Sequence, residues 1–346
     1  PNSFLGKLIK QNKTTVGVSA PDFNFDSSLA AITRMGTTQS LNVQASLVNI
    51  TSDTAFIDVN LTNKAGHKFP SGYPSRRAVL QMIVTKANGD TLFTSGLFDQ
   101  NYEVQNISTP FEQHHDIINS STQNQIYEMV MGDVNSNVTT VLERAAAPLK
   151  DNRIPPAGFT TQHYAYDTCK IVGNALTDAD FNKSGAVQGS GHDIVHFHIP
   201  LNSYSGTINV YTAVYYQTLP PAFLNDMSTY SSPEINTFLS MYANADKSPV
   251  KVDADTLLNI STGVKETPFT SITLSPNPTA DGKIQINGLG YRSFQLEVFD
   301  QNGKKMIFST ERKNNTLELH LPQPRGIYFV RININGKIMS YKILKI

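Results

Sequence analysis

A chain of 346 residues with 28 basic and 28 acidic side chains, no tryptophan and a single cysteine is long enough for two or three domains, each burying its own core. Balanced charge argues against a nucleic-acid partner, which requires a concentrated basic surface. The lone Cys169 excludes an intrachain disulfide, a cysteine-based zinc site and covalently attached c-type haem, and no apolar run approaches the length of a membrane span.

The chain opens at Pro1 without a Met or a signal peptide, which reads as a processed mature form or a fragment of something longer. Residues 1–40 are expected to form an N-terminal arm. Within it, 1–13 is mildly apolar at helical spacing, and a short helix over 27–35 is capped by Asp26 and stopped by Gly36. From Leu41 the apolar period switches to two, over 41–50, 54–62, 78–86 and 91–95, with Asn88-Gly89-Asp90 as a hairpin turn. Residues 97–136 are polar and irregular around one strand-like island at 125–131. Residues 138–150 fit strand or helix, and strand character returns at 160–166, 193–199 and 207–216. An amphipathic helix follows over 233–245, capped by Ser232. Residues 41–250 are therefore predicted to be a large antiparallel β-sandwich with long loops and few short helices.

Residues 251–268 read as a linker. From 269 to 346 come short strands at 272–274, 283–286, 294–299, 305–309, 316–320, 326–334 and 337–345. Their turns are Asp281-Gly282, Asn302-Gly303 and Asn335-Gly336. That predicts a second, small Ig-like sandwich in an all-β chain. From Phe269 onward 11 Lys/Arg face 5 Asp/Glu, leaving 17 against 23 in the rest, as expected of two independently evolved modules.

Two resemblances follow from quoted residues. The tail carries Leu274-Ser-Pro-Asn-Pro278, Phe299-Asp-Gln-Asn-Gly303, Leu321-Pro-Gln-Pro-Arg-Gly-Ile-Tyr-Phe-Val-Arg331 and Lys342-Ile-Leu-Lys-Ile346. It resembles the C-terminal sorting domain of type IX secretion substrates in Bacteroidota. This implies handling by the type IX machinery and a secreted or outer-surface location in a Gram-negative bacterium. The body carries Asn-Lys-Ala-Gly-His-Lys-Phe-Pro-Ser-Gly-Tyr-Pro-Ser-Arg-Arg at 63–77 and Gln125-Ile-Tyr-Glu-Met129. It also carries Lys150-Asp-Asn-Arg-Ile-Pro-Pro-Ala-Gly158, Gly191-His-Asp-Ile-Val-His196 and Val214-Tyr-Tyr-Gln-Thr-Leu-Pro220. It resembles the non-haem C-terminal region of secreted multihaem c-type cytochromes. Because Cys-x-x-Cys-His is missing, any haem would come from another segment or a cytochrome partner.

The 63–77 loop, with two glycines and two prolines, is built to place side chains. His67 has two readings: an axial ligand to a haem in another segment, or a covered group bracing the loop by bonds to carbonyls. Arg76 and Arg77 point to opposite faces, one of them against a carboxylate or a haem propionate. His196 and His198 share a strand face and, with His192, form a candidate metal site. Asp178, Asp180 and Asn182 place oxygens at alternate positions, as a calcium loop does. His114-His115 reads as solvated. Asp53-Thr-Ala, Asp90-Thr-Leu and Asp255-Thr-Leu resemble the short O-glycosylation signal of Bacteroidota and would load Thr54, Thr91 and Thr256. No catalytic constellation stands out. The expected function is a non-enzymatic surface module, the scaffold or interaction part of a multihaem electron-transfer protein. The alternatives are a metal-dependent enzyme on the His192/His196/His198 strand and an adhesin or carbohydrate-binding sandwich.

Overall fold

The computed structural model describes residues 3–107, 109–262, 272–289, 294–313, 316–322, 324–334 and 337–346. They belong to two compact units, Pro1–Val264 and Lys265–Ile346, each with its own buried apolar cluster. The fold is all-β, with three short α-helices among the described residues.

In chain order the first unit contains α1 (Ser3–Gln11), α2 (Asp22–Thr38), β1 (Leu41–Ile50), β2 (Thr54–Asn63), β3 (Arg77–Lys86) and β4 (Thr91–Ser95). Next come β5 (Ile117–Ile118), β6 (Gln125–Gly132), β7 (Val138–Thr139), β8 (Ala147–Asp151), β9 (Lys183–Ser184) and β10 (Val187–Gln188). The unit closes with β11 (His192–Pro200), β12 (Thr207–Gln217), α3 (Pro233–Ala243) and β13 (Val250–Ser261). One sheet has the order β1-β2-β11-β5; the facing sheet runs β13-β12-β3-β6-β7, with β4 on β3 and β8 on β6. Strict alternation produces the core: in β2 and β11 every second residue is buried. Ile57, Val59, Leu61, Val195 and Phe197 of one sheet share a single cluster with Leu80, Met82, Val210 and Val214 of the other.

The residues 251–261 expected in a linker are instead strand β13, hydrogen-bonded along β12. Only Val252 of this strand is buried, so its polar faces read as linker. Its Asp253 and Asp255 carboxylates accept the N–H groups of Val43 and Ala45, each at 2.8 Å. The edge strand β13 thus caps exposed donors of the edge strand β1 on the other sheet. The remainder of the expected linker, 263–268, lies outside the described residues, as does the Asn335-Gly336 turn.

Helix α2 is longer than the expected 27–35. It begins after Pro21; Asp26 lies inside it and accepts Lys10 Nζ at 2.5 Å, and Gly36 is helical and buried. Ion pairs from Lys10 and Lys13 of the preceding segment to Asp22 and Asp26, and packing on β13 and β1, extend it past its local signals. Residues 160–166 form turns rather than a strand; Thr161 to Tyr164 are all exposed, and no strand among the described residues pairs with them. Residues 138–150 resolve into β7, a 3₁₀ turn at Leu142–Arg144 and β8. Helix α3 starts as expected, with Ser232 Oγ accepting Ile235 N–H.

The second unit packs two sheets. β14 (Thr273–Ser275), β15 (Lys283–Asn287), β18 (Thr316–His320) and β17 (Ser309–Lys313) form one; β16 (Gln295–Asp300), β19 (Gly326–Ile334) and β20 (Lys337–Lys345) form the other. Ile284, Ile286, Leu319, Val330 and Ile332 fill the space between them. The strand expected at 305–309 is displaced: the chain first makes a single bridge from Lys305 to Phe299, and pairing resumes at Ser309.

Candidate functional site

The 63–77 loop joins β2 to β3 and is fastened at many points. Asn63 Nδ2 donates to the carbonyls of His67 (2.7 Å) and Ile154 (2.9 Å), while its Oδ1 accepts Ala65 N–H at 2.8 Å. Phe69 and Ile154 exchange two backbone bonds of 2.8 Å, and Asn63 N–H reaches Gly191 O at 2.9 Å. Gly191 has φ +71, and a Cβ there would stand 2.7 Å from the Ala157 nitrogen, so only glycine allows this approach. Buried Lys68 donates to Asp151 Oδ2 and to Lys170 O, both at 2.8 Å. Arg153 clasps the same carboxylate through Nε (2.8 Å) and Nη2 (2.7 Å). Burial lowers the Lys68 ammonium's pKa, with Asp151 opposing.

His67 is exposed, which corrects the expectation that the bracing group is covered; the axial-ligand reading concerns a haem in another segment. Its Nδ1 bonds Lys68 O at 3.0 Å, an acceptor that places a hydrogen on Nδ1. Lys68, Phe69 and Pro70 of the loop face inward, and the polypeptide path turns His67, just before them, out to solvent. Arg77 is buried: Nε donates to Gln217 Oε1 at 2.8 Å and Nη2 to Glu103 Oε1 at 2.5 Å. Arg76 Nη1 donates to Ser71 O at 2.9 Å. A propionate therefore finds no free guanidinium at Arg77, and the residues of this loop do not fit a haem pocket within this chain. Beside Arg77 opens a cavity of about 390 Å³ lined by Glu103, Glu128, Met129, Met131 and Phe223. Below it, fully buried Lys150 donates to Ile126 O (2.8 Å) and Glu128 Oε1 (3.1 Å), and burial lowers its pKa.

A second constellation joins three segments distant in sequence: residues 112–118, residues 174–184 and β11. His114, read as solvated, is buried. Its Nδ1 accepts from Gln125 Nε2 (2.8 Å) and Asn152 Nδ2 (3.1 Å). These amides are oriented by backbone N–H groups, from His115 to Gln125 Oε1 and from Glu128 to Asn152 Oδ1. The ring hydrogen is thus on Nε2, which donates to Asp178 Oδ2 at 2.9 Å. Asp178 Oδ1 accepts the N–H groups of Asp180 and Phe181. Burial raises this carboxyl, but the His114 and backbone bonds outweigh it and leave its pKa below the ordinary value. Fully buried Asp193 accepts Tyr127 Oη–H at 2.5 Å on Oδ2, while among the described residues its Oδ1 has no partner. Burial, with the charge of Asp178 adding to it, pushes the Asp193 carboxyl up to about 6.

On the outer face of β11, His196 Nδ1 meets Asp58 Oδ1 at 2.6 Å. Its Nε2 lies 3.1 Å from Asp180 Oδ2 and 3.7 Å from Asp116 Oδ1. Burial lowers the His196 pKa, but the bonds to Asp58 and Asp180 outweigh it and leave it raised. Burial and then Asp178's charge raise the Asp116 and Asp180 carboxyls. The structure does not bring His192 and His198 to the nitrogens of His196. Side chains two apart on one strand stand about 7 Å from each other, whereas cross-strand Asp58 and loop residue Asp180 come within bonding reach. His198 lies edge-on to Phe56, with ring centroids 4.8 Å apart. Nor do Asp178, Asp180 and Asn182 share a centre. Asn182 Oδ1 accepts Gly191 N–H and its Nδ2 donates to Phe159 O, so that side chain is committed to fixing the loop. Of the three Asp-Thr motifs, Thr91 and Thr256 are exposed and Thr54 is half-buried.

The sequence reading missed Asp58, Asp116 and His114. A His/Asp pair two residues apart at 114 and 116, facing a second such spacing at 178 and 180, was the available signal.

The family described as the secretion system C-terminal sorting domain matches residues 273–346. The tail thus marks the chain for type IX export to the cell surface or the extracellular space. No curated protein matches the chain. Among solved structures it is similar to a penta-haem cytochrome c552 from Thermochromatium tepidum, at 14% identity over 66% of this chain, with a TM-score of 0.37. The match spans 40% of the cytochrome's own length. It is similar to HBP35 of Porphyromonas gingivalis at 13% identity over 94% of this chain and 69% of that one, TM-score 0.22. The BSP domain of a biofilm-associated protein matches at 9% identity over 93% of this chain and 55% of that one, TM-score 0.33. None of these likenesses is close enough to carry a function.

Proposed function

We propose that the Pro1–Val264 unit is a non-enzymatic extracellular scaffold that serves a haem-bearing segment or cytochrome partner, delivered by the sorting domain that follows it. One observation supports this above the others. The segments that carry the resemblance to multihaem cytochromes, at 63–77, 125–129, 150–158, 191–196 and 214–220, are joined to one another by the bonds described above. The charged groups at the heart of that junction pair internally, Lys68 and Arg153 on Asp151, Arg77 on Glu103 and Lys150 on Glu128. Side chains committed in this way rigidify a platform and offer no free acid, base or nucleophile for turnover. Chemistry of the haem would be electron transfer, supplied by the partner; the residues of this chain only present a surface to it. The test is isolation of the native gene product from its producing cell, followed by visible spectroscopy and haem staining. A Soret band in the intact protein or in a co-eluting cytochrome is expected. A full-length product without haem, from cells in which no cytochrome co-elutes with it, overturns the reading.

A further inference from the structure

We infer that Asp116, Asp180 and His196 form a binding site for one divalent transition-metal ion of the zinc and manganese class. Their ligand atoms all lie within 4.8 Å of one another. Around a common ion with bonds of ~2.1 Å, neighbouring ligands stand ~3.0 to ~3.4 Å apart. The observed separations from His196 Nε2, 3.1 Å to Asp180 and 3.7 Å to Asp116, need only small side-chain rotations to meet that requirement. Asp58 completes the arrangement from behind. Its bond to Nδ1 holds a hydrogen there and fixes the ring so that Nε2 faces the two carboxylates. The Nε2 hydrogen shared with Asp180 is the one a metal ion would displace. A carboxylate behind Nδ1 is the usual way to orient a metal-binding imidazole.

The charge around the site points the same way. Fully buried Asp193, grouped with His114 and Asp178 on the inner side of β11, interacts electrostatically with Asp178 and Asp180, and among the described residues its Oδ1 has no hydrogen-bond partner. The carboxylates of Asp58, Asp116 and Asp180 stand at His196, and those of Asp178 and Asp193 group with His114 on the inner side of the strand. Against them stand His196 and the Lys183 ammonium, the latter spent on Asp178 O. His114 is set aside because it is buried and its lone pair, on Nδ1, already accepts the Gln125 and Asn152 amides. A cation at Asp116, Asp180 and His196 neutralises this excess. The imidazole donor favours a borderline ion over calcium, which prefers an all-oxygen shell. The site is partly open, with Asp116 45% and His196 30% exposed, leaving room for water on the remaining coordination positions.

The test uses the full chain, stripped with EDTA and titrated calorimetrically with zinc, manganese and calcium chlorides. It is run in a His320→Gln background, because Glu311, Glu318 and His320 form a competing surface group in the tail. One zinc per chain is expected. His196→Gln should weaken it about tenfold or more, Asp116→Asn likewise, and His198→Gln should leave it unchanged. Cobalt substitution should give visible absorption bands that His196→Gln alters. Circular dichroism of each metal-free variant shows whether it folds; Asp116 is the most exposed ligand, so its variant remains decisive if another fails. Absence of saturable zinc binding overturns the proposal. So does zinc affinity indifferent to both His196→Gln and Asp116→Asn, or calcium bound more tightly than zinc and unaffected by His196→Gln.

Discussion

Replacing Asp193 with Asn tests the buried network at the group where its balance is most exposed to pH. Asp193 is fully buried, and burial pushes its carboxyl up from 3.8 to about 6. The sign follows from proton binding. Between those two values the folded state holds the proton more tightly than the unfolded chain. The favourable contribution of this group is therefore complete below 3.8 and is lost as pH rises through about 6. The full span is worth about 3 kcal/mol, at about 1.4 kcal/mol per pH unit. Asn keeps an acceptor for Tyr127 Oη–H at 2.5 Å but never ionises. Subtracting the variant's stability from the wild type's cancels the titration of all other carboxylates to first order. Urea unfolding in EDTA at pH 4.5 and at pH 7.5 supplies the two differences. Most of the ~3 kcal/mol should appear as a relative gain by the variant at the higher pH. A difference that does not move with pH, or moves the other way, refutes the assignment of Asp193 as a strained buried acid.

The loop offers a contrast between neighbours. Exposed His67→Ala should stay within about 0.5 kcal/mol of wild type, whereas Lys68→Ala removes a buried partner of Asp151 and should cost about 1–3 kcal/mol; the reverse order in urea unfolding would contradict the described burial. Asp253→Ala and Asp255→Ala should each cost about 1–2 kcal/mol by leaving a β1 donor without its charged acceptor. Hydrogen exchange should quicken at Val43 in the first variant and at Ala45 in the second, and equal protection in both would dismiss the edge-capping role. A chain ending at Thr262 should melt cooperatively, while one ending at Pro249 loses β13 and should melt at least several degrees lower. Matching melting curves for the two would restore residues 251–261 to a linker.

What the sequence determined by itself was whatever rests on local periodicity and local turn chemistry. Alternation specified β2, β11 and β12 nearly to the residue, Ser232 announced α3, and the tail's Asp281-Gly282 and Asn302-Gly303 turns delimited its strands. Signals failed where a polar residue's meaning lies in a partner far along the chain. Residues 251–261 alternate too weakly to look like a strand, because Asp253 and Asp255 find their reason in the N–H groups of β1, 210 residues away. His114 sits in a polar stretch and yet is buried, since Gln125, Asn152 and Asp178 together satisfy its ring. His196 shares a face with His198 in the strand pattern, but its nitrogens go to Asp58 and Asp180. A strand's period fixes only which side a residue faces. Which groups meet there depends on sheet order and loop closure, and a buried polar atom is tolerable only where those supply its partner.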